Sequence, residues 1–463
     1  MDTITLTDED VARLLARTEG HFLDFKSTEI APGKLTKSLA AFCNSDGGDL
    51  YVGISEDSTG FSWRGFDDPE EANGHLQAFE LVSPFGVDLE GHFLQNESLP
   101  GLVLHVNANK SRFVRAASDG KVYKRLGAQS ILVPEGESLT ALRRMKGIES
   151  FEDETLAVPV EVVTNSSPII EYLLEAVPTA EPEIYLRGQY LVHDGKPTVA
   201  SVLLFAEEPQ AALPKRSGIK VYRYKSNEAE RDQLVATPTT IEGHLYSQVY
   251  EAVRSTVDMI AEARFLDADG LRVVRYPQEA LHEVITNAVL HRDYSVLDDV
   301  HIRIYENRVE VQSPGRLPGH ITPENILSER LSRNPHLVRH LNRFPDPPNK
   351  DVGEGLDTAF ASMKKLNLRA PEIVQRENSV LVIIRHESLA SPAQQIVEYL
   401  DENATIRNSE ARDLVGIDSE SRMKKILQSL VDANEIEHVP GSAGRGYAYR
   451  RTPRASASIA PST

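Results

Sequence analysis

Glu279-Ala-Leu-His-Glu283-Val-Ile-Thr-Asn287-Ala-Val-Leu-His291-Arg-Asp-Tyr294 places Glu283, Asn287 and His291 at four-residue intervals in an otherwise apolar run. That spacing puts the three side chains on one face of a helix, with Pro277 marking its start. Such a face fits a partly buried helix whose Asn and His bond to neighbours. It also fits a site where the Asn oxygen holds a divalent cation and a Glu one turn earlier orients a water.

Downstream, Val300-His-Ile-Arg-Ile-Tyr and Val309-Glu-Val-Gln alternate apolar and polar residues about Glu306-Asn-Arg, which predicts a hairpin. It runs into Ser313-Pro-Gly315-Arg-Leu-Pro-Gly319. Ser332-Arg-Asn334-Pro-His336 follows, and then Gly353-Glu-Gly355-Leu-Asp357 opens another helix. Glycines ahead of a helix N-terminus let backbone N–H groups approach phosphates, where the helix dipole favours anions. The series over roughly 275–375 resembles the variant GHKL ATPase domain of bacterial transcriptional regulators and of proteins loosely termed RecG-type helicases, its first helix corresponding to the N-box. The resemblance implies ATP with Mg²⁺, Glu283 orienting the attacking water and Asn287 holding the metal, with His291, Gly315, Asn334, Gly353 and Gly355 as further nucleotide contacts. Arg292 is either a phosphate or a structural contact. One departure stands out: Ser313-Pro-Gly315 replaces the family's Asp-x-Gly-x-Gly adenine box. Because Gly-x-x-x-x-Gly-Lys-[Ser/Thr] is absent, a phosphate-loop helicase motor is excluded.

The amino-terminal third carries a second constellation. Thr18-Glu19-Gly-His-Phe-Leu-Asp24-Phe-Lys26-Ser27 predicts a short strand with Asp24 and Lys26 on one face. A helix over 34–43 follows, then Asn44-Ser-Asp-Gly-Gly-Asp49, a buried strand over 50–54 and the acidic end Ser55-Glu56-Asp57. Acidic groups at strand ends can hold a divalent cation through oxygen. The match over roughly 10–145 resembles the Schlafen AlbA_2 domain, with Asp24 in place of its second glutamate. The resemblance to the nuclease members implies a site of Glu19, Asp24 and Glu56 using Mg²⁺ or Mn²⁺, with Asp57 as an alternative ligand and Lys26, Arg112, Lys124 and Arg125 toward nucleic acid. The competing reading is a binding module whose acids are solvated and whose Lys26 is salt-bridged.

The 463 residues suggest about three domains and contain no repeat. A net charge of −19 confines nucleic-acid contacts to local basic patches. The single cysteine, Cys43, excludes internal disulfides and is expected in the core. Neither a signal-type amino terminus nor an 18-residue apolar run is found, so a cytoplasmic protein without membrane contact is expected.

The fold expected is α+β and multidomain: a Schlafen AlbA_2-like α/β domain over 1–150, a linker over 151–185 with a helix at 169–176, a β-rich segment and connecting helix over 186–274, a GHKL α/β sandwich over 275–388, a winged helix over 389–451 and a disordered tail over 452–463. Residues 200–205 read as a strand, Pro209 to Pro214 as a turn, and 219–224 as an ordinary edge strand whose Tyr222, Arg223, Tyr224 and Lys225 could alternatively meet nucleic acid. A helix from Thr240 to Ala263 has an apolar stripe. Residues 421–463 hold seven Lys or Arg against three acids, which favours a phosphate-facing surface. Helix-turn-helix geometry places Ser419, Ser421, Arg422 and Lys425 toward a major groove, with Arg445 on the wing tip. A protein contact is the alternative use of that domain. The reading that joins these parts is an ATP-binding, DNA-associated regulator, with homo-oligomerisation expected; the alternative is a nucleotide-gated nuclease acting on DNA or RNA, as in anti-phage defence.

Overall fold

The computed structural model describes all residues except 59, 262–263, 268–269, 274–275, 349–354, 367, 386–391, 416, 418, 441–446 and 453–463. The chain divides into two compact units, one of residues 1–154, 315–335 and 375–379, the other of 155–314, 336–374 and 380–463.

In the first unit β1 (Thr3–Thr5), α1 (Asp8–Leu15), β2 (Leu23–Lys26), α2 (Pro32–Asn44), β3 (Gly48–Val52), β4 (Ile54–Asp57), β5 (Gly60–Trp63), α3 (Asn73–Glu80), β6 (Leu89–Asn96), β7 (Leu99–Ala108), β8 (Tyr123–Leu126), β9 (Gln129–Leu132) and α4 (Glu137–Met145) follow one another. A five-stranded mixed sheet has the order β1-β6-β7-β3-β2. Its alternating side chains feed two cores, because successive strand residues point to opposite faces. Leu50, Val52, Leu104 and Val106 pack with Leu39, Phe42 and Phe79 of α2 and α3. Tyr51, Phe25, Val103 and Leu94 pack with Val11 and Leu14 of α1 and with Trp63. Cys43 lies in the first core, as expected, where burial pushes its thiol up to about 12. The paired glycines after α2 are dictated by space. Gly47 has φ +84°, a Cβ there would stand 2.7 Å from the Ala108 carbonyl oxygen, and one on Gly48 would stand 2.5 Å from the Phe42 ring.

The second unit begins with three short helices, α5 (Glu161–Thr164), α6 (Ser167–Ala176) and α7 (Pro182–Gly188), where one helix was expected at 169–176. The hairpin β10 (Val192–His193) and β11 (Lys196–Pro197) precedes α8 (Val199–Phe205) and α9 (Pro209–Ala212), where a strand and a turn were expected. All seven residues of α8 are buried, and an apolar run buried on every side carries no period to separate strand from helix. Thr198 caps it by accepting from the Ser201 N–H.

Next come β12 (Ile219–Arg223), β13 (Thr239–Ile241), α10 (Leu245–Ala261), β14 (Arg264–Asp267), β15 (Gly270–Val273), α11 (Gln278–Leu290), β16 (Val300–Ile304), β17 (Arg308–Pro314), α12 (Pro335–Leu341), α13 (Gly355–Lys365), β18 (Glu372–Gln375) and β19 (Ser379–Arg385). A six-stranded sheet has the order β13-β12-β16-β17-β19-β18. Here β12 is flanked on both sides, not an edge strand, because Thr239–Ile241 pairs outside it. The same pairing delays the long helix to Leu245. Buried Val221, Ile302, Val309 and Val311 form the apolar side of the sheet, α10 and α11 pack on it, and α13 packs against α11.

The carboxyl-terminal part holds α14 (Pro392–Glu402), β20 (Ile406–Arg407), α15 (Asn408–Val415), α16 (Glu420–Asp432), β21 (Ile436–His438) and β22 (Ala448–Arg451), with strand order β20-β22-β21. Ile396, Leu400, Ala411, Val415, Met423, Leu427, Ile436 and Tyr449 form a core of their own. Among the described residues no helix is long and apolar enough to cross a membrane.

Candidate nucleotide and nucleic-acid sites

Helix α11 buries Leu281, Val284, Ile285 and Val289 and leaves Glu283 and Asn287 half-buried on another face. The Asn287 side-chain amide donates to Glu283 Oε1 at 2.6 Å. Burial raises the Glu283 carboxyl above its usual range, and the Asn287 hydrogen bond only partly opposes it. Because Asn287 uses its nitrogen on Glu283, its oxygen remains available as a hard ligand. His291 is the C-cap, its N–H bonded to the Asn287 carbonyl at 3.0 Å.

The end of β17 is bonded to this helix and to the turn after it. Ser313 Oγ donates to the Ala288 carbonyl at 2.6 Å, and the Asp293 N–H bonds the Pro314 carbonyl at 2.9 Å. Gly315 follows with φ +96°, a left-handed conformation suited to glycine. Gly355 opens α13, which packs on α11, whereas Gly353 lies outside the described residues. Asn334 is buried just before α12. Arg292 is structural: it is 2 % exposed, binds the Gly218 and Asp298 carbonyls and lies over the Tyr294 ring.

In the first unit Glu19 and Asp24 converge on one ammonium. Lys26 Nζ donates to Glu19 Oε1 at 2.8 Å and to Asp24 Oδ1 at 2.6 Å. Ser38, which the sequence reading passed over, donates to Asp24 Oδ2 at 2.7 Å. Burial would raise the Asp24 carboxyl, but the charge and hydrogen bond of Lys26, then Ser38 and Arg125, outweigh it and hold it below the usual range. Arg125 lies buried beneath the cluster and donates to the Gly20 and Leu23 carbonyls. Glu56 and Asp57 are exposed on β4, and Arg112 and Lys124 are exposed. Among the described residues no group of three or more His, Cys, Asp or Glu is arranged to hold a metal ion.

In the carboxyl-terminal part Ser419 caps α16, accepting from the Arg422 N–H. Arg422 is half-buried, while Lys424 and Lys425 are exposed. Arg450 pairs with Glu437, and Arg451 with Asp401 and Glu435. Among the described residues of 421–463, the three basic residues outside these pairs, Arg422, Lys424 and Lys425, all lie on α16. Arg445 lies outside the described residues.

Another group with no assigned role in the sequence reading is Asp46, which accepts from His21 at 2.9 Å, Arg316 at 2.6 Å and Gln375 at 3.0 Å. Only its place in Asn44-Ser-Asp-Gly-Gly48 marked it.

No curated protein sequence matches the chain. Among solved structures, the crystal structure of the DIP2311 protein from Corynebacterium diphtheriae is 18% identical, covering 93% of this chain and 92% of that one at a TM-score of 0.41. Family models match two stretches: residues 298–384 match HATPase_c_4, described as "Putative ATP-dependent DNA helicase recG C-terminal", and residues 19–134 match "Schlafen, AlbA_2". The chain thus combines a Schlafen AlbA_2 stretch with an ATPase-like one, the domain make-up its motifs announced.

Proposed function

We propose that the protein is an ATP-binding, DNA-associated regulator in which nucleotide binding controls how nucleic acid is engaged. The observation that carries this reading is the Glu283–Asn287 pair: a half-buried carboxyl held above its ordinary range beside an amide whose nitrogen is committed. Burying a carboxylate against its own solvation is costly for folding and useful at a site that must organise a cation and a water. Bound Mg²⁺ would neutralise the phosphates and draw electron density from them. Asn287 would hold the cation through its amide oxygen, Glu283 would orient the water, and the α13 terminus at Gly355 would bring backbone N–H groups toward phosphate. Ser313-Pro314 in place of an acidic box supplies no carboxylate for an adenine amino group, so discrimination between ATP and GTP should be weak.

Residues 389–451 act here as a winged helix, with Arg422, Lys424 and Lys425 of α16 facing DNA phosphates. A cytoplasmic homo-oligomer reading two half-sites belongs to the same proposal. Equilibrium titration with a fluorescent ATP analogue and Mg²⁺ tests it: Asn287→Ala should weaken binding at least tenfold, and equal affinity would remove the assignment.

The nuclease reading has its own support in the convergence of Glu19 and Asp24 on one Nζ, since a pair that holds an ammonium is poised to hold a metal cation once Lys26 swings away. Glu56 or Asp57 would complete it. Incubation with labelled RNA and DNA, with and without Mn²⁺ and ATP, tests this; cleavage should disappear in the triple Glu19→Ala, Asp24→Ala, Glu56→Ala variant.

A further inference from the structure

The chain leaves β17 at Pro314, spends residues 315–335 in the first unit, and returns to the second at His336. Within the first unit that excursion is held by buried polar contacts. Lys110 is 7 % exposed and donates through Nζ to the Leu317 and Ile321 carbonyls at 2.8 and 2.9 Å. The Gly319 N–H bonds the Met145 carbonyl at 3.1 Å, and Ser150 Oγ donates to the Arg333 carbonyl at 3.0 Å. The charged tie is Arg316 to Asp46, and Asp46 also takes His21 and Gln375.

At each end this stretch connects, through the chain or through hydrogen bonds, to residues of a candidate site. Upstream, Ser313 is fastened to Ala288, the residue after Asn287, and only Pro314 and Gly315 separate it from Arg316. Downstream, His21 lies in the turn whose Gly20 carbonyl accepts from Arg125 and whose Glu19 accepts from Lys26. A charge-assisted pair at 2.6 Å loses much of its strength when one partner moves by an ångström. Gly315 can absorb such a move, because glycine adopts either sign of φ at little cost.

We infer that residues 315–335 form a nucleotide-responsive latch, in which Arg316 clasps Asp46 when the α11 site is empty and is drawn off when nucleotide binding shifts the Ser313–Gly315 turn, loosening the His21 turn that carries Glu19. This rests on the nucleotide-binding reading above. A ligand can bias a two-state element only by binding its states unequally, so the latch must also weaken nucleotide binding while it is closed.

Hydrogen exchange on the full chain, with and without a non-hydrolysable ATP analogue and Mg²⁺, tests the latch, with binding measured separately by titration. In the wild type the analogue should speed exchange about tenfold across 315–335 and 19–26. In Arg316→Ala, and in Asp46→Asn as a second variant, exchange should be fast without nucleotide, the analogue should add nothing, and it should bind more tightly than to wild type. Far-UV dichroism confirms that each variant is folded; should either fail to fold, Arg316→Gln, which keeps much of the side chain but removes the charge, takes its place. If the analogue binds and exchange over 315–335 does not change, the latch is refuted while the nucleotide site stands. If it does not bind at all, the nucleotide reading falls and the latch with it.

Discussion

Truncating Arg125 to alanine separates a structural guanidinium from a phosphate ligand. Arg125 is 4 % exposed; it donates to the Gly20 carbonyl at 2.8 Å, to the Leu23 carbonyl at 3.2 Å and to Asp24 at 3.3 Å, and stacks 4.6 Å from the Phe42 centroid. Removing it leaves the Gly20 carbonyl without this donor, at roughly 1–3 kcal/mol if unsatisfied, and takes one bond of about 1 kcal/mol from the Leu23 carbonyl, which keeps the Gly20 N–H. Losing the cation–π contact adds about 1 kcal/mol. Asp24 keeps Lys26 and Ser38, so its own charge is not abandoned. The expected loss is about 4 kcal/mol, within the range for breaking a buried charge pair and a large fraction of a domain's roughly 5–15 kcal/mol. The chain's single tryptophan, Trp63, is 6 % exposed in the core of the same unit, so its fluorescence follows that unit in urea. With a slope of about 2 kcal/mol per molar, the midpoint should fall by about 2 M. Lys124→Ala, next to it but exposed, should leave the midpoint almost unmoved. A shift in Arg125→Ala below about 0.5 M on that slope, with weakened RNA or DNA binding, would show that Arg125 meets phosphate instead of holding the fold.

Glu283→Gln keeps a partner for Asn287 but removes the buried charge, so thermal unfolding should rise by a few degrees, about 1 kcal/mol, and any nucleotide turnover of the wild type should be lost. Because the folded-state pKa of Glu283 is raised, the wild type gains stability as pH falls through that pKa, and the gap to Glu283→Gln should close on acidification; a constant or reversed gap would contradict the buried carboxyl. Asp24 and Asp46 have the opposite sign: their pKa values are lowered, so their contribution is present above the ordinary carboxylate value of about 3.8 and lost as pH falls through the folded values. Stability of this unit already falls as pH drops through about 6.5, because burial lowers the His75 and His92 pKa values and the unfolded chain then binds more protons; the carboxylate part of the acid transition followed by Trp63 should lie below about pH 4, and Asp46→Asn should flatten that part. Replacing Lys424 and Lys425 by alanine should weaken duplex DNA binding about equally for all sequences and reduce the salt slope by about two; an unchanged slope would assign α16 to a protein contact.

The elements that sequence alone determined are those with local causes. Glu283 and Asn287 meet because four residues make one helical turn, and Asp24 and Lys26 meet because two residues return to one strand face. The hairpin β16–β17 and the helices α14 to α16 likewise follow from short-range pattern and capping. Tertiary structure decided whatever depends on partners distant in the chain. It made a helix of the all-buried stretch 199–205, put β13 outside β12, turned Arg125 inward beneath Asp24, and paired Arg450 and Arg451 with acids instead of leaving them to solvent. Asp46 shows why: its partners lie 25, 270 and 329 residues away. Periodicity ranks faces and turns within an element, but a charge acquires its role from the counter-charge that folding brings to it, and that neighbour has no local signature.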